Sequence, residues 1–265
     1  MSMIGLGTLV ILLAVLYVVY LLIMHRTQAR MVFTGSFIGP RLLRKECSRS
    51  GQWIKLGQHK VDALFLEEEG AEALIIAHGN AQTLEDWAYI AEYLHSEMGL
   101  QVLVIEYPRF QESPDHAQPE PNQETVAEGF VAGYDWLRER GVERVHAMGL
   151  SIGTGVVCDL SERRELASLC LLAPFHSIAR LSFGYLVPPF VLKSPYRNVA
   201  ALAKYQGPVT ILQAMEDQLF KTPHITALLQ AKPEAGHIEV PCGHNAVPDY
   251  LPNYESELKQ LWSVA

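Results

Sequence analysis

The chain has 265 residues, of which 49% are hydrophobic and 19% charged, and a formal net charge of -8. That length suits one large domain or two small ones. No dense Lys/Arg block supplies the basic footprint of a nucleic-acid binder, so nucleic acid is not an expected partner. The four cysteines, Cys47, Cys158, Cys170 and Cys242, form no CxxC pair, which argues against a zinc site or a disulfide framework.

Residues 4–24, IGLGTLVILLAVLYVVYLLIM, carry no charge. As a helix this run spans roughly 31 Å, about the thickness of the bilayer hydrocarbon. Tyr17 and Tyr20 lie towards one end, where interfacial aromatics are favoured. A cleaved signal peptide would have a basic start, a shorter apolar run and a small-residue cleavage site, and MHRTQARMVF offers a poor one. We expect a transmembrane anchor over residues 1–25, then a basic juxtamembrane connector over 26–50. Arg26, Arg30, Arg41, Arg44 and Lys45 all follow the span, which predicts a single-pass membrane protein with its remaining domain on the cytoplasmic side.

Strand-like runs follow at 53–57 and 61–68, the second alternating as a half-exposed strand does. A rhythm then sets in: EALIIAH (72–78) as a strand, 85–98 as a helix, QVLVIEY (101–107) as a strand, and a proline-rich loop at 113–121. Asn122 is placed to cap a helix running to Arg140. Strands are expected at 143–149, 166–173, 208–214 and 237–240, with helices at 152–163, 222–231 and 249–263. Strands alternating with helices predict an α/β fold with a mostly parallel sheet and helices on both faces. Ligands in such sheets sit beyond the carboxyl ends of the strands.

One motif stands at such an end. Gly149-Leu150-Ser151-Ile152-Gly153 follows a predicted strand and opens a predicted helix. The pattern G-x-S-x-G arises by chance in roughly one chain in ten of this length, so its context carries the weight. Small residues flanking the serine let a strand turn sharply into a helix and push the hydroxyl outward. A serine needs a base, and in this architecture the chain order is Ser, acid, His. His224, His237 and His244 lie late enough. His244 sits in a loop just past a strand, whereas His224 opens a helix and His237 lies near the start of a strand, at the wrong edge. Glu216 and Asp217 both end the preceding strand, and position alone does not separate them. An oxyanion hole would take one N–H from Ile152 and one from the His78-Gly79-Asn80 turn, expected from Asn80.

Together, AHGNAQTLEDW (77–87), MGLSIGTG (148–155), LLAPFHSI (171–178), PVTILQAMEDQLF (208–220) and PCGHNAV (241–247) resemble the α/β-hydrolase superfamily. They look most like its membrane-anchored BEM46-like (ABHD13/ABHD17-type) hydrolases. The resemblance covers about residues 51–265 and implies an α/β-hydrolase fold with a short cap at about 179–207. It implies Ser151 as nucleophile, His244 as base and Asp217 as acid, preferring Asp217 because the family's acid precedes an apolar residue by three, here Phe220. It also implies that no metal or cofactor is needed. The chain departs from the family where EYPRFQES places Arg109 and Gln111 at expected glycines, and where Gln213-Ala214 replaces His-Gly.

The expectation is a membrane-anchored serine hydrolase of carboxylic esters or thioesters with an apolar acyl group, its substrate a small-molecule or lipid ester. A peptidase or amidase on the same scaffold is the alternative, as is a catalytically silent binding module. The cap carries FGYLVPPFVL (183–192), read either as an apolar lid that receives an acyl chain or touches the bilayer, or as a packed excursion over the core.

Overall fold

Among the described residues eight runs form strands: β1 Gln52–Leu56, β2 Val61–Leu66, β3 Glu72–Ala77, β4 Gln101–Ile105, β5 Arg144–Leu150, β6 Leu169–Leu172, β7 Val209–Ala214 and β8 Gly236–Val240. The structure is a computed structural model and describes residues 3–37, 51–110 and 118–262. All eight strands join one sheet in the order β1-β2-β4-β3-β5-β6-β7-β8. β1, β2 and β4 pair antiparallel, and every pairing from β4 to β8 is parallel.

The helices are α1 Met3–Val32, α2 Ala88–Met98, α3 Gln123–Glu139, α4 Ile152–Arg163, α5 Ile178–Ser182, α6 Asn198–Lys204, α7 Thr222–Ala231 and α8 Glu255–Trp262. The apolar stripes of α2, α3, α4, α6, α7 and α8 cover the two sheet faces. Phe130 of α3, Val157 of α4, Leu202 of α6 and Leu228 of α7 pack with Ile75 and Leu103. On the other face Leu94 of α2 and Trp262 of α8 pack with Leu74 and Val102. Adjacent strand residues thus belong to opposite faces, as a pleated strand requires. Local signals agree at the ends: the Asn122 side chain accepts from the N–H groups of Glu124 and Thr125, and Gly99 ends α2 at φ 62°.

Several expectations change. β2 is buried along its whole length, not half exposed. Ala63 and Phe65 face one core, Leu64 and Leu66 the other, so β1 shields its edge while helices cover both faces. Its lone charge, Asp62, is held by Lys55 at 2.8 Å. α2 begins at Ala88 after a 3-10 turn over Leu84–Trp87, and α8 begins only at Glu255. His244–Tyr254 is 3-10 instead, because Pro248 and Pro252 lack the N–H groups an α-helix needs. α1 runs to Val32, beyond the expected span, and a 3-10 turn over Thr34–Phe37 follows. The rest of the expected connector lies outside the described residues, with Arg41, Arg44, Lys45 and Cys47; so do Gln111 and most of the proline-rich loop. Within the segment read as a cap, Asn198–Lys204 forms α6, which packs against α4 and α7 as a covering helix of the sheet.

Candidate active site

Ser151, Asn80, Asp217 and His244 all follow carboxyl ends of parallel strands, β5, β3, β7 and β8 respectively. Ser151 occupies the turn from β5 into α4 with φ 54° and ψ -117°, a backbone state that costs a residue with a side chain. The two flanking glycines make that turn possible. A Cβ on Gly149 would collide with the backbone of Gly153, and a Cβ on Gly153 would collide with the carbonyl of Ala77. Hydrogen bonds hold the strained residue: Ser151 N–H donates to Leu172 O at 2.9 Å, and the Thr154 N–H and hydroxyl both donate to Ser151 O.

The sequence-predicted side chains meet at this turn. Ser151 Oγ lies 2.8 Å from His244 Nε2, and His244 Nδ1 lies 2.6 Å from Asp217 Oδ2. The second oxygen, Asp217 Oδ1, accepts from the N–H groups of Leu219 and Phe220 at 2.7 and 2.9 Å. Phe220 stands edge-on to the His244 ring with centroids 5.2 Å apart. Burial pushes the Asp217 carboxyl up, but the His244 hydrogen bond and the Phe220 and Leu219 N–H groups outweigh it, so its pKa lies below the ordinary value. Glu216 is exposed beside it and its N–H is used by Cys242 O at 3.0 Å.

The other histidines are engaged elsewhere. His237 Nε2 donates to Gln213 Oε1 at 2.9 Å, which gives the unexpected glutamine at the end of β7 a partner. His224 Nδ1 accepts from His176 N–H at 3.1 Å. Burial, then the neighbouring His176, hold the His224 pKa below its ordinary value.

Asn80 and Ile152 border the same cavity as Ser151 and His244, about 760 Å³ in volume. Neither of their backbone N–H groups has a partner among the described residues. The turn carrying Asn80 is anchored by residues that the sequence reading missed. Glu106, nine-tenths or more buried, accepts from His78 Nε2 at 2.7 Å, from Leu84 N–H and from Tyr107 N–H. Tyr107 OH donates to His78 O at 2.6 Å, and Gln82 Oε1 accepts from Gly79 N–H and Trp87 Nε1. A glutamate closing the apolar run QVLVIE was the available signal, since an unpaired charge is not buried there.

The end of α1 was missed too. Thr34 N–H donates to Asn80 Oδ1 at 2.6 Å and Gly35 N–H donates to Asn80 O at 3.0 Å. Met31 and Val32 border the cavity itself. Arg109, where a glycine was expected, keeps a glycine-like φ of 64°. Gln118 stabilises it, accepting from Arg109 N–H and Nε at 2.8 Å each.

No family model matches the chain. Among curated proteins it is 26% identical over 196 residues to α/β hydrolase domain-containing protein 17C of Mus musculus, covering 72% of this chain and 59% of that protein. It is 28% identical over 195 residues to protein 17B of Homo sapiens, covering 72% and 66%. The chain thus spans less than two thirds of the length of these relatives. Among solved structures, the Pyrococcus furiosus esterase Pf2001 superposes with a TM-score of 0.67 at 14% identity, over 85% of this chain and 96% of that one. A membrane phospholipase A described as a bacterial virulence factor superposes at 0.63 and 14% identity, over 99% and 98%. The chain is an α/β-hydrolase by fold, similar in sequence to the domain-containing proteins 17B and 17C.

Proposed function

We propose that the chain is a membrane-tethered serine hydrolase that cleaves a carboxylic ester or thioester of an apolar acyl group. The observation that carries this reading is the unbroken series of hydrogen bonds from Ser151 through His244 to Asp217, set beside two unpartnered N–H groups. Ser151 Oγ attacks the acyl carbonyl as its proton passes to His244 Nε2. Asp217 fixes the imidazole and stabilises its charged form. The N–H groups of Asn80 and Ile152 take the charge that develops on the carbonyl oxygen. His244 then protonates the leaving group, the acyl-serine forms, and water activated by His244 releases the acid.

The lining supports an apolar acyl group: Phe175, Ile178, Leu181, Leu219 and Phe220 border the cavity. Two structural neighbours are an esterase and a phospholipase, which agrees with an acyl substrate. For the anchor, the support is α1 itself. The most apolar 18-residue window of Leu6–Val32 has a mean hydropathy of 2.8 and is 0% buried, so it is no core helix. The basic residues after the span favour a cytoplasmic catalytic domain.

The test is labelling with a fluorophosphonate probe, followed by turnover of p-nitrophenyl esters of increasing chain length. Wild type labels, Ser151→Ala does not, and turnover rises with chain length. Unlabelled wild type beside a related hydrolase that labels points to the silent module, and labelling that survives Ser151→Ala moves the nucleophile elsewhere.

A further inference from the structure

A series of hydrogen bonds joins α1 to the segment between α5 and α6. Tyr17 OH donates to Leu186 O at 2.9 Å, and Tyr20 OH donates to Tyr185 O. Two turns further on, His25 Nδ1 and Gln28 Nε2 donate to Val191 O at 2.8 and 3.2 Å, while Gln28 Oε1 accepts from Lys193 N–H at 2.6 Å.

These bonds fix how far along α1 the segment reaches. Tyr17 and Tyr20 lie seven and four residues before Met24, the last residue of the uncharged run. At the helical rise those offsets are about 10 and 6 Å. The Tyr185–Leu186 part of the segment therefore runs alongside the apolar part of α1, while Val191 lies at the His25–Gln28 turn. Its composition matches that level: Leu181–Leu192 carries no charge, between Arg180 and Lys193. Its outward side chains are Phe183, Tyr185, Leu186 and Phe190, with Leu186 74% and Phe190 85% exposed. Leu186 adopts φ 54°, a state that Gly or Asn would hold at lower cost, yet a large apolar side chain stands there facing outward.

Part of the segment's backbone is paired internally. Leu186, Val187, Val191 and Leu192 donate their N–H groups to Phe183 O, Ser182 O, Pro188 O and Pro189 O. Pro188 and Pro189 have no N–H, and the carbonyls of Tyr185, Leu186 and Val191 are the ones that α1 side chains occupy. Hydrocarbon tolerates backbone only when its polar groups are paired internally. A water-facing loop has no such requirement.

We propose that Phe183–Phe190 is a second membrane-contacting element, embedded in the phospholipid leaflet that surrounds the Arg26 end of α1. This rests on the reading of α1 as an anchor. It also orients the site. A second apolar cavity between α1 and this segment reaches from Met24 to Met31, and it shares Met31, Val32, Ile178, Leu181 and Tyr185 with the cavity at Ser151. An acyl chain in the leaflet thereby reaches Ser151 along an apolar seam, without first entering water.

The test uses the full chain carrying Cys47→Ser, reconstituted in phosphatidylcholine vesicles, with a nitrobenzoxadiazole label on one introduced cysteine. Leu186→Cys and Phe190→Cys report the segment and Leu12→Cys reports α1. Glu139→Cys, at the exposed end of α3 next to the start of β5, reports the opposite end of the domain. Labels at 186 and 190 are expected to be quenched by nitroxide-bearing lipid and shielded from aqueous iodide, with 139 the reverse. Labels at 186 and 190 that behave like 139, while 12 is quenched by lipid, overturn the inference and leave the anchor standing. A label at 12 that iodide reaches overturns the anchor, and the inference falls with it.

Discussion

Phe33→Ala separates two roles for the end of α1, a plain tether and a brace for the turn that carries Asn80. Phe33 is fully buried and meets Tyr107, Phe110 and Tyr196 edge-on, with centroids 5.9, 6.5 and 6.4 Å away. Truncating a buried Phe costs about 3–5 kcal/mol. The adjacent Thr34 and Gly35 N–H groups hold Asn80 by two bonds, together worth about 2 kcal/mol. The loss at position 33 exceeds what those bonds supply, so the turn over Thr34–Phe37 should detach locally and release Asn80. An oxyanion donor contributes about 3 kcal/mol, or about a hundredfold in kcat. The expected result is a fall in kcat of about 10–100-fold on a short soluble ester, with fluorophosphonate labelling slowed in parallel and the urea midpoint of the domain nearly unchanged. Phe33→Leu, which keeps most of the apolar volume, should stay within about threefold of wild type. An unchanged kcat in Phe33→Ala refutes the brace. So does a midpoint shift that reports the full cavity cost while the folded fraction turns over normally.

Gly153→Ala places a Cβ against the Ala77 carbonyl, so the turn cannot close; labelling should vanish and stability should drop by about 2 kcal/mol or more in urea unfolding. Asp217→Asn keeps the shape but loses the charge facing His244, and kcat should fall about 10³–10⁴-fold with circular dichroism unchanged. The Asp217 pKa is lowered by folding, so its stabilisation is complete above the unfolded value near 4 and is lost as pH falls through the folded one; the stability gap between wild type and Asp217→Asn should shrink below about pH 4. His146 is buried between Ser168 and Glu72, and burial lowers its pKa. Below about pH 6.5 the unfolded chain binds a proton there that the folded chain resists, so stability declines with falling pH, and His146→Gln should flatten that slope in denaturant titrations.

Much of this protein was legible in one dimension. Strand and helix order follows from periodicity, because apolar spacing reports directly which face an element buries. The turn at Ser151 was readable from its glycines, since only a missing Cβ admits the close backbone approach at Gly149 and Gly153. His244 could be chosen because a loop beyond a strand end is where such sheets place reactive side chains. The choice between Asp217 and Glu216 came from family likeness alone; in space, neighbouring residues point apart, and only Asp217 turns towards His244.

The tertiary structure decided what pairs across long separations. β2 alternates in sequence yet is buried on both faces, because coverage depends on what packs above it and not on its own pattern. Glu106, at the end of an apolar run, organises the turn that carries Asn80 through His78 and Leu84. The apolar span was plain from composition. That its far end grips Asn80, and that its tyrosines hold the Tyr185 and Leu186 carbonyls, depends on contacts between residues more than forty apart in the chain. No local propensity encodes such contacts, which exist only once the chain has closed on itself.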